Sequence, residues 1–179
     1  SASDLCAEDD RIFALGMNLA NEYSAYETIR KEINTSLSLG SKLKVVSLGT
    51  NSPASKAGIL VDDEILEIDG ENLIQGEDAF KSYVEKIDKD YQKLYEFKIL
   101  RGDEFKNIKI RSEQRCRFNF VIDLDNNTFN AFANGEIMVF SLRMAKWLIQ
   151  NETGAAIVFA HELAHNANKH VADKIQNAN

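Results

Sequence analysis

The sequence predicts an α+β fold: a helix at the N-terminus, a small β-barrel in the middle, and a strand-and-helix segment at the end. Three observations carry this. Apolar residues recur at helical spacing from 12 to 33, and alternating runs punctuated by Gly, Pro and Asp occupy 42 to 111. From 118 onward, short strand-like runs give way to two amphipathic helical patterns.

The first element rests on Ile12, Leu15, Leu19, Tyr23, Tyr26 and Ile33. With Asp9 and Asp10 suited to a helix start, they predict one long amphipathic helix within residues 1–34. The middle segment opens with Lys42-Leu43-Lys44-Val45-Val46-Ser47-Leu48, a strand pattern, followed by Asn51 to Ile59 around the only proline, Pro53. Asp62 to Ile68 then reads as a strand running into an Asp69-Gly70 turn, a strong hairpin signal. Ala79, Phe80, Val84 and Ile87 mark a helix between Gly76 and Asp88, and 95–100 with 105–110 form a closing hairpin across Arg101-Gly102-Asp103. In the last segment, Phe118 to Asp123 is a strand, Phe129 to Phe140 is two short strands around Asn134-Gly135, and Leu142 to Gln150 is helical. A longer helix from Thr153 to about Gln176 carries Ala160, Leu163, Ala164, Ala167, Val171 and Ile175 on its apolar stripe.

Composition bounds the function. The chain has 179 residues, 44% of them hydrophobic and 27% charged, which suits a soluble globular protein with one large or two small domains. A net charge of −7 speaks against a broad nucleic-acid or anionic-membrane surface. No apolar run approaches the ~18 residues of a membrane helix, so no stable membrane insertion is expected of this segment. The opening Ser1-Ala2-Ser3 carries neither an initiator Met nor a signal peptide, so the chain reads as a mature or excised piece.

The stretch from Leu43 to Gly70 resembles a bacterial-type PDZ domain. Ser52-Pro53-Ala54-Ser55-Lys56-Ala57-Gly58 matches that family's turn and short helix in full, and Asp62 departs from it where Gly is usual. The resemblance implies a PDZ-like β-barrel over residues 35–112. It also implies capture of an extended peptide on a sheet edge, with Ser36-Leu37-Ser38-Leu39-Gly40 as the candidate carboxylate loop.

The pattern with chemical content is His161-Glu162-Leu163-Ala164-His165. Residues four apart share a helix face, so His161 and His165 can direct both imidazoles at one zinc ion. Glu162 lies about 100° round the helix, placed as general base toward water rather than as a ligand. Small and apolar neighbours suit a buried catalytic helix, and such polar groups on a buried face demand partners.

Together with Asn130-Ala131-Phe132-Ala133-Asn134-Gly135 and the later His170, this stretch resembles the M48 metallopeptidases. The resemblance implies a partial zincin core of the gluzincin type over 113–179, with zinc on His161 and His165 and Glu162 as catalytic base. It also implies a substrate-binding edge strand at Asn130, Ala131, Phe132 and Ala133, where peptide or protein substrates pair. The third zinc ligand of that family is a Glu on a later helix. Asp173 is two turns beyond His165, and His170 falls on the opposite side of the helix from His161, so neither serves. The chain is therefore expected to stop before its third ligand and to be inactive as it stands.

The function expected is a zinc-dependent endopeptidase in protein quality control or processing, with PDZ-mediated substrate binding or regulation. The competing expectation is a peptide-binding PDZ scaffold with a degenerate protease part. An extracytoplasmic location, in the bacterial periplasm or cell envelope, follows from the resemblance. With residues 1–34 packed on the protease part, Cys6 would lie near Cys116, and a disulfide between them would suit an oxidising compartment.

Overall fold

The computed structural model describes residues 8, 11–25, 27–117, 119–123, 125–133, 137–151, 153–154, 157–158 and 161–162. The chain divides into two compact units, one spanning Ile12–Arg115 and the other Ser1–Arg11 with Cys116–Asn179. No helix among the described residues is long and apolar enough to cross a membrane.

The first unit is built on a six-stranded sheet. Its strands are β2 (Met17–Ala20), β3 (Leu43–Leu48), β4 (Glu64–Ile68), β5 (Glu71–Asn72), β6 (Leu94–Arg101) and β7 (Glu104–Arg111). They run β2-β3-β4-β6-β7, with β5 hanging on β4, and every pairing is antiparallel. The sheet is open, with β2 and β7 at its two edges, and is not closed into the barrel expected from sequence. Helices α1 (Glu27–Leu37), α2 (Pro53–Ala57) and α3 (Ala79–Lys86) complete the unit. Two further strands, β1 (Arg11–Ala14) and β8 (Glu113–Cys116), pair with each other at its entry and exit. The core gathers Leu15, Leu19, Leu43, Val45, Ile59, Ile65, Ile68, Tyr95, Phe97, Ile99 and Ile110.

The expected long helix within residues 1–34 is corrected. Two strands occupy Arg11–Ala14 and Met17–Ala20, and the helix is confined to Glu27–Leu37, inside the first unit. Leu15, Met17 and Leu19 face the core at a spacing of two, which the spacing of Ile12, Leu15, Leu19 and Tyr23 concealed. Gly16 also sits at φ +70°, outside any right-handed helix. The unit accordingly begins at Ile12 rather than at residue 35, because β2 is one of its strands.

Elsewhere the local chemistry explains the elements. Ser52 caps α2, its hydroxyl accepting from the Ser55 N–H at 3.2 Å, Pro53 starts the helix, and Gly58 ends it at φ +93°. The Asp69-Gly70 turn has φ of 52° and 80°, the left-handed pair that a tight hairpin needs. Asp62, standing where related turns carry Gly, has φ 73°, a conformation Asp tolerates better than most residues.

One ion pair anchors the turn after α2. Asp63 is fully buried and accepts from Arg101 Nε and Nη2, both at 2.7 Å, and from the Leu60 N–H at 2.8 Å. Arg101 Nη2 also donates to the Gly58 carbonyl at 2.7 Å. A weaker link ties α2 to β8. The Lys56 ammonium bonds Glu113 at 3.1 Å and, with Arg115, holds that carboxyl below its ordinary range against a small opposing effect of burial. A depressed carboxylate stabilises the fold above its unfolded pKa, and that stabilisation is lost as pH falls through the lowered folded value. Glu113→Gln is therefore expected to flatten the acid limb of a pH–stability curve below about pH 4. The effect stays under ~1 kcal/mol because the pair is exposed. Urea melts at pH 3 and pH 7 measure it, and an unchanged difference between the two would remove the pair from the account.

The second unit holds a three-stranded sheet in the order β10-β11-β9, from β9 (Asn119–Asp123), β10 (Ala131–Ala133) and β11 (Ile137–Ser141). β10 runs antiparallel and β9 parallel to β11. Helix α4 (Leu142–Gln150) follows directly, capped by Ser141. Met138 and Phe140 of β11 pack on Met144 and Leu148 of α4, with Ala131, Ala133 and Val158 against them. The described residues 153, 154, 157, 158, 161 and 162 are helical.

Candidate functional site

Two constellations carry chemistry, one in each unit. In the second unit, Thr153, Gly154, Ile157, Val158, His161 and Glu162 are helical, as the spacing required. Val158 packs against the same apolar cluster of Met138, Phe140, Met144 and Leu148 that Ala131 and Ala133 of β10 adjoin. A Cβ on Gly154 would fall 2.2 Å from the Trp147 ring, so only Gly lets this helix approach α4 so closely. Glu162 is buried, 6% exposed, while His161 beside it is exposed. The sequence placed both on one buried face. Successive helical residues point about 100° apart, which lets the carboxylate be covered while the imidazole stays open. His165 lies outside the described residues, as do His170 and Asp173. Among the described residues no cluster of three or more His, Cys, Asp or Glu is placed to hold a metal ion.

The edge strand is fixed from one side. Ser141 N–H donates to the Asn130 carbonyl at 3.0 Å, and the Asn130 N–H donates to Ser141 Oγ at 3.2 Å. The same hydroxyl donates to the Thr128 carbonyl at 2.7 Å and caps α4 through the Met144 N–H. Asn130 therefore turns its backbone toward β11. Along an antiparallel ladder the direction alternates, so Phe132 faces β11, and Ala131 and Ala133 send N–H and C=O to the open edge. Among the described residues β10 pairs only with β11.

The second constellation lies in the first unit, around the edge strand β2. Leu15 and Gly16 turn their carbonyls inward, accepting from the Ala54 and Gly49 N–H groups at 3.0 and 2.9 Å. No peptide bond here is cis. In a trans peptide C=O and N–H point oppositely, so the next two N–H groups, of Gly16 and Met17, point outward together. Two successive outward N–H groups make an anion-binding nest. The segments flanking β2 are tied to the segments flanking α3. The Phe13 N–H donates to the Lys89 carbonyl at 2.8 Å, and Asn21 Nδ2 donates to the Gly76 carbonyl at 2.6 Å. β2 is an edge strand of its sheet, and Phe80 of α3 is half-exposed and in ring contact with Tyr83.

The carboxylate loop expected at Ser36–Gly40 is not of this kind. It is the C-terminal end of α1, where the Ser38 and Leu39 N–H groups donate back to Thr35 and Asn34. The Leu37 and Ser38 carbonyls accept from Lys44 Nζ. The Ser38 and Leu39 donors are spent, and the Leu37 and Ser38 carbonyls hold a cation. The missed signal was Leu15-Gly16-Met17, a Gly between two core-facing residues. A Cβ at Gly16 would stand 2.5 Å from Ser52 Cβ, at a φ that L-residues avoid. Gly16→Ala is expected to cost at least ~1 kcal/mol of stability, and a thermal melt against the parent measures it.

Cys116 is disulfide-bonded. Cys6, its expected partner, lies outside the described residues.

The open antiparallel sheet with β2 at its edge and the capped helix that starts at Pro53 define the class of the first unit. It is a PDZ domain, and the model of that domain family matches residues 14–111. The chain belongs to the PDZ domain family, and the model of peptidase family M48 matches its residues 100–178. Among solved structures, the chain is similar to the PDZ domain of HtrA3 bound to a phage-derived ligand, at 18% identity and a TM-score of 0.41, over 58% of this chain and 88% of that one. It is similar to the HtrA-type protease AlgW with decapeptide at 22% identity and a TM-score of 0.42, over 60% of this chain and 30% of that one. A PDZ domain protein from Parabacteroides distasonis matches at 15% identity and a TM-score of 0.41, over 59% of this chain and 21% of that one. The chain thus spans under a third of the length of the latter two. No curated protein matches it.

Proposed function

We propose that this protein is a zinc-dependent endopeptidase of the M48 type, with a PDZ domain that binds substrate or regulatory peptides. The observation that carries the reading is that Val158, on the helical segment that leads to His161 and Glu162, packs against the same apolar cluster as Ala131 and Ala133 of the edge strand β10. An exposed imidazole and a buried carboxylate stand side by side on that segment, and the strand edge is one that an extended polypeptide can join.

The donor chemistry fits zinc in part. His161 supplies a neutral nitrogen ligand, and His165, four residues on, is the proposed second. A Glu elsewhere in the native protein is the proposed third. When bound, zinc supplies Lewis-acid chemistry, polarising the scissile carbonyl and acidifying water. The chain's own groups do the rest. Ala131 and Ala133 offer backbone N–H and C=O to the substrate, with Asn130 and Phe132 setting the strand's register and face. Glu162, withheld from bulk solvent, takes a proton from the attacking water and returns it to the leaving amine.

In the PDZ domain, the Gly16 and Met17 N–H groups are proposed to receive a peptide's terminal carboxylate while the peptide adds a strand to β2. An oxidising, extracytoplasmic location is proposed from the disulfide at Cys116. A role in protein quality control or processing suits a peptidase that carries its own peptide-binding domain.

The test is casein cleavage by the native protein before and after chelation, with zinc restored. Cleavage that is lost with the metal and returns with zinc is expected. Cleavage indifferent to chelation contradicts the zinc reading. Absence of cleavage in zinc-loaded protein leaves a PDZ scaffold with a degenerate protease part.

A further inference from the structure

The sheet of the second unit is apolar on both faces. One face carries Ala131, Ala133, Met138 and Phe140, packed with Met144 and Leu148 of α4 and with Val158, and continues onto Phe120 and Ile122 of β9, which are exposed. The register of the three strands puts a second row on the opposite face, with Phe132 across from Val139 and Val139 across from Val121. Phe132 is 47% and Val121 49% exposed, and Val139 is half-buried between them. A sheet face that meets water usually turns polar, and this row across a mixed sheet does not.

The position of this row gives it a role. Phe132 is the middle residue of β10, the strand whose other edge has no partner strand among the described residues. Its neighbours Ala131 and Ala133 are the residues whose backbone groups face that edge, and their small side chains adjoin the same apolar cluster as Val158. In a paired strand, residues directly opposite share a face and lie about 4.5–5.5 Å apart at Cβ. A polypeptide added along β10 therefore places its residue opposite Phe132 on the uncovered face, against the aromatic ring. The residues on either side of it project to the other face, past the alanines, the face whose apolar cluster Val158 adjoins.

We propose that Phe132 is a specificity-determining residue and that the substrate position opposite it takes a large apolar side chain. The occupant is thus a stretch of polypeptide with apolar residues at alternate positions, as an unfolded segment of a β-rich protein presents. The proposal rests on β10 being the substrate-binding edge, as set out under the proposed function.

The test profiles the native protein, zinc-loaded, on matched quenched peptides that vary one position at a time among Phe, Leu, Asp and Lys. The wild type is expected to favour Phe and Leu at one position by roughly tenfold or more in kcat/KM, the range an apolar pocket can supply. Phe132→Glu is expected to move that position alone toward Lys. Phe132→Leu, which keeps an apolar contact and guards against loss of folding, retains the parent preference. A wild type and Phe132→Glu variant that cleave with the same profile overturn this proposal alone. A wild type that cleaves no peptide overturns the endopeptidase reading, and this proposal with it.

Discussion

Replacing Glu162 by Gln in the native protein is expected to lower kcat for peptide hydrolysis by about 10²- to 10⁴-fold, the usual worth of a positioned general base. KM is expected to change little, since the proposed contacts with substrate are made by β10. The substitution is close to isosteric. Glu162 is buried and His161 beside it exposed, so the amide keeps the shape of the helix while losing the group that accepts the proton. Steady-state kinetics on a quenched peptide separate the two parameters. A variant that keeps kcat within a factor of a few removes Glu162 from the mechanism, whatever the fate of the metal.

The second large effect is structural. Asp63→Ala is expected to destabilise the PDZ domain by ~3 kcal/mol, the lower end of what breaking a buried ion pair costs. The lower end applies because Arg101 keeps 30% of its side chain exposed and can be rehydrated, while Asp63 has none. The Leu60 N–H loses its acceptor in the same step. At about 4–8 °C per kcal/mol for a domain of this size, the transition should fall by roughly 12–24 °C. Calorimetry measures it directly. A drop of only a degree or two would mean that the turn after α2 is held by its apolar neighbours instead.

The middle of the chain was the most legible part. Ser52-Pro53 and Gly58 specify a capped short helix, and Asp69-Gly70 specifies a hairpin whose register follows from alternation. The N-terminal strand was not legible. Leu15 and Leu19 satisfy both a period near four and a period of two, and Tyr23 extended the false match. Only Gly16, whose positive φ excludes a helix, separates the two readings, and a lone Gly is a weak signal. That misreading also hid the β2 edge and moved the expected carboxylate loop to the end of α1. In the second unit the motif named His161 and Glu162, but it could not reveal that their burial differs. Nor could it show the open apolar face beside Phe132, which depends on the register between β10, β11 and β9.

The two units answer to different experiments. Gly16→Ala should weaken binding of a C-terminal peptide to the PDZ domain without touching the chemistry proposed for the second unit, whereas Glu162→Gln should do the reverse. The measurement that tests the central claim most directly is the metal content of the purified native protein, wild type beside His161→Ala. About one zinc per chain in the wild type, lost in His161→Ala and kept in Glu162→Gln, is the result expected of two imidazoles on a catalytic helix. A wild type that carries no zinc after reconstitution, or a His161→Ala variant that holds it as well as the parent, would contradict the account.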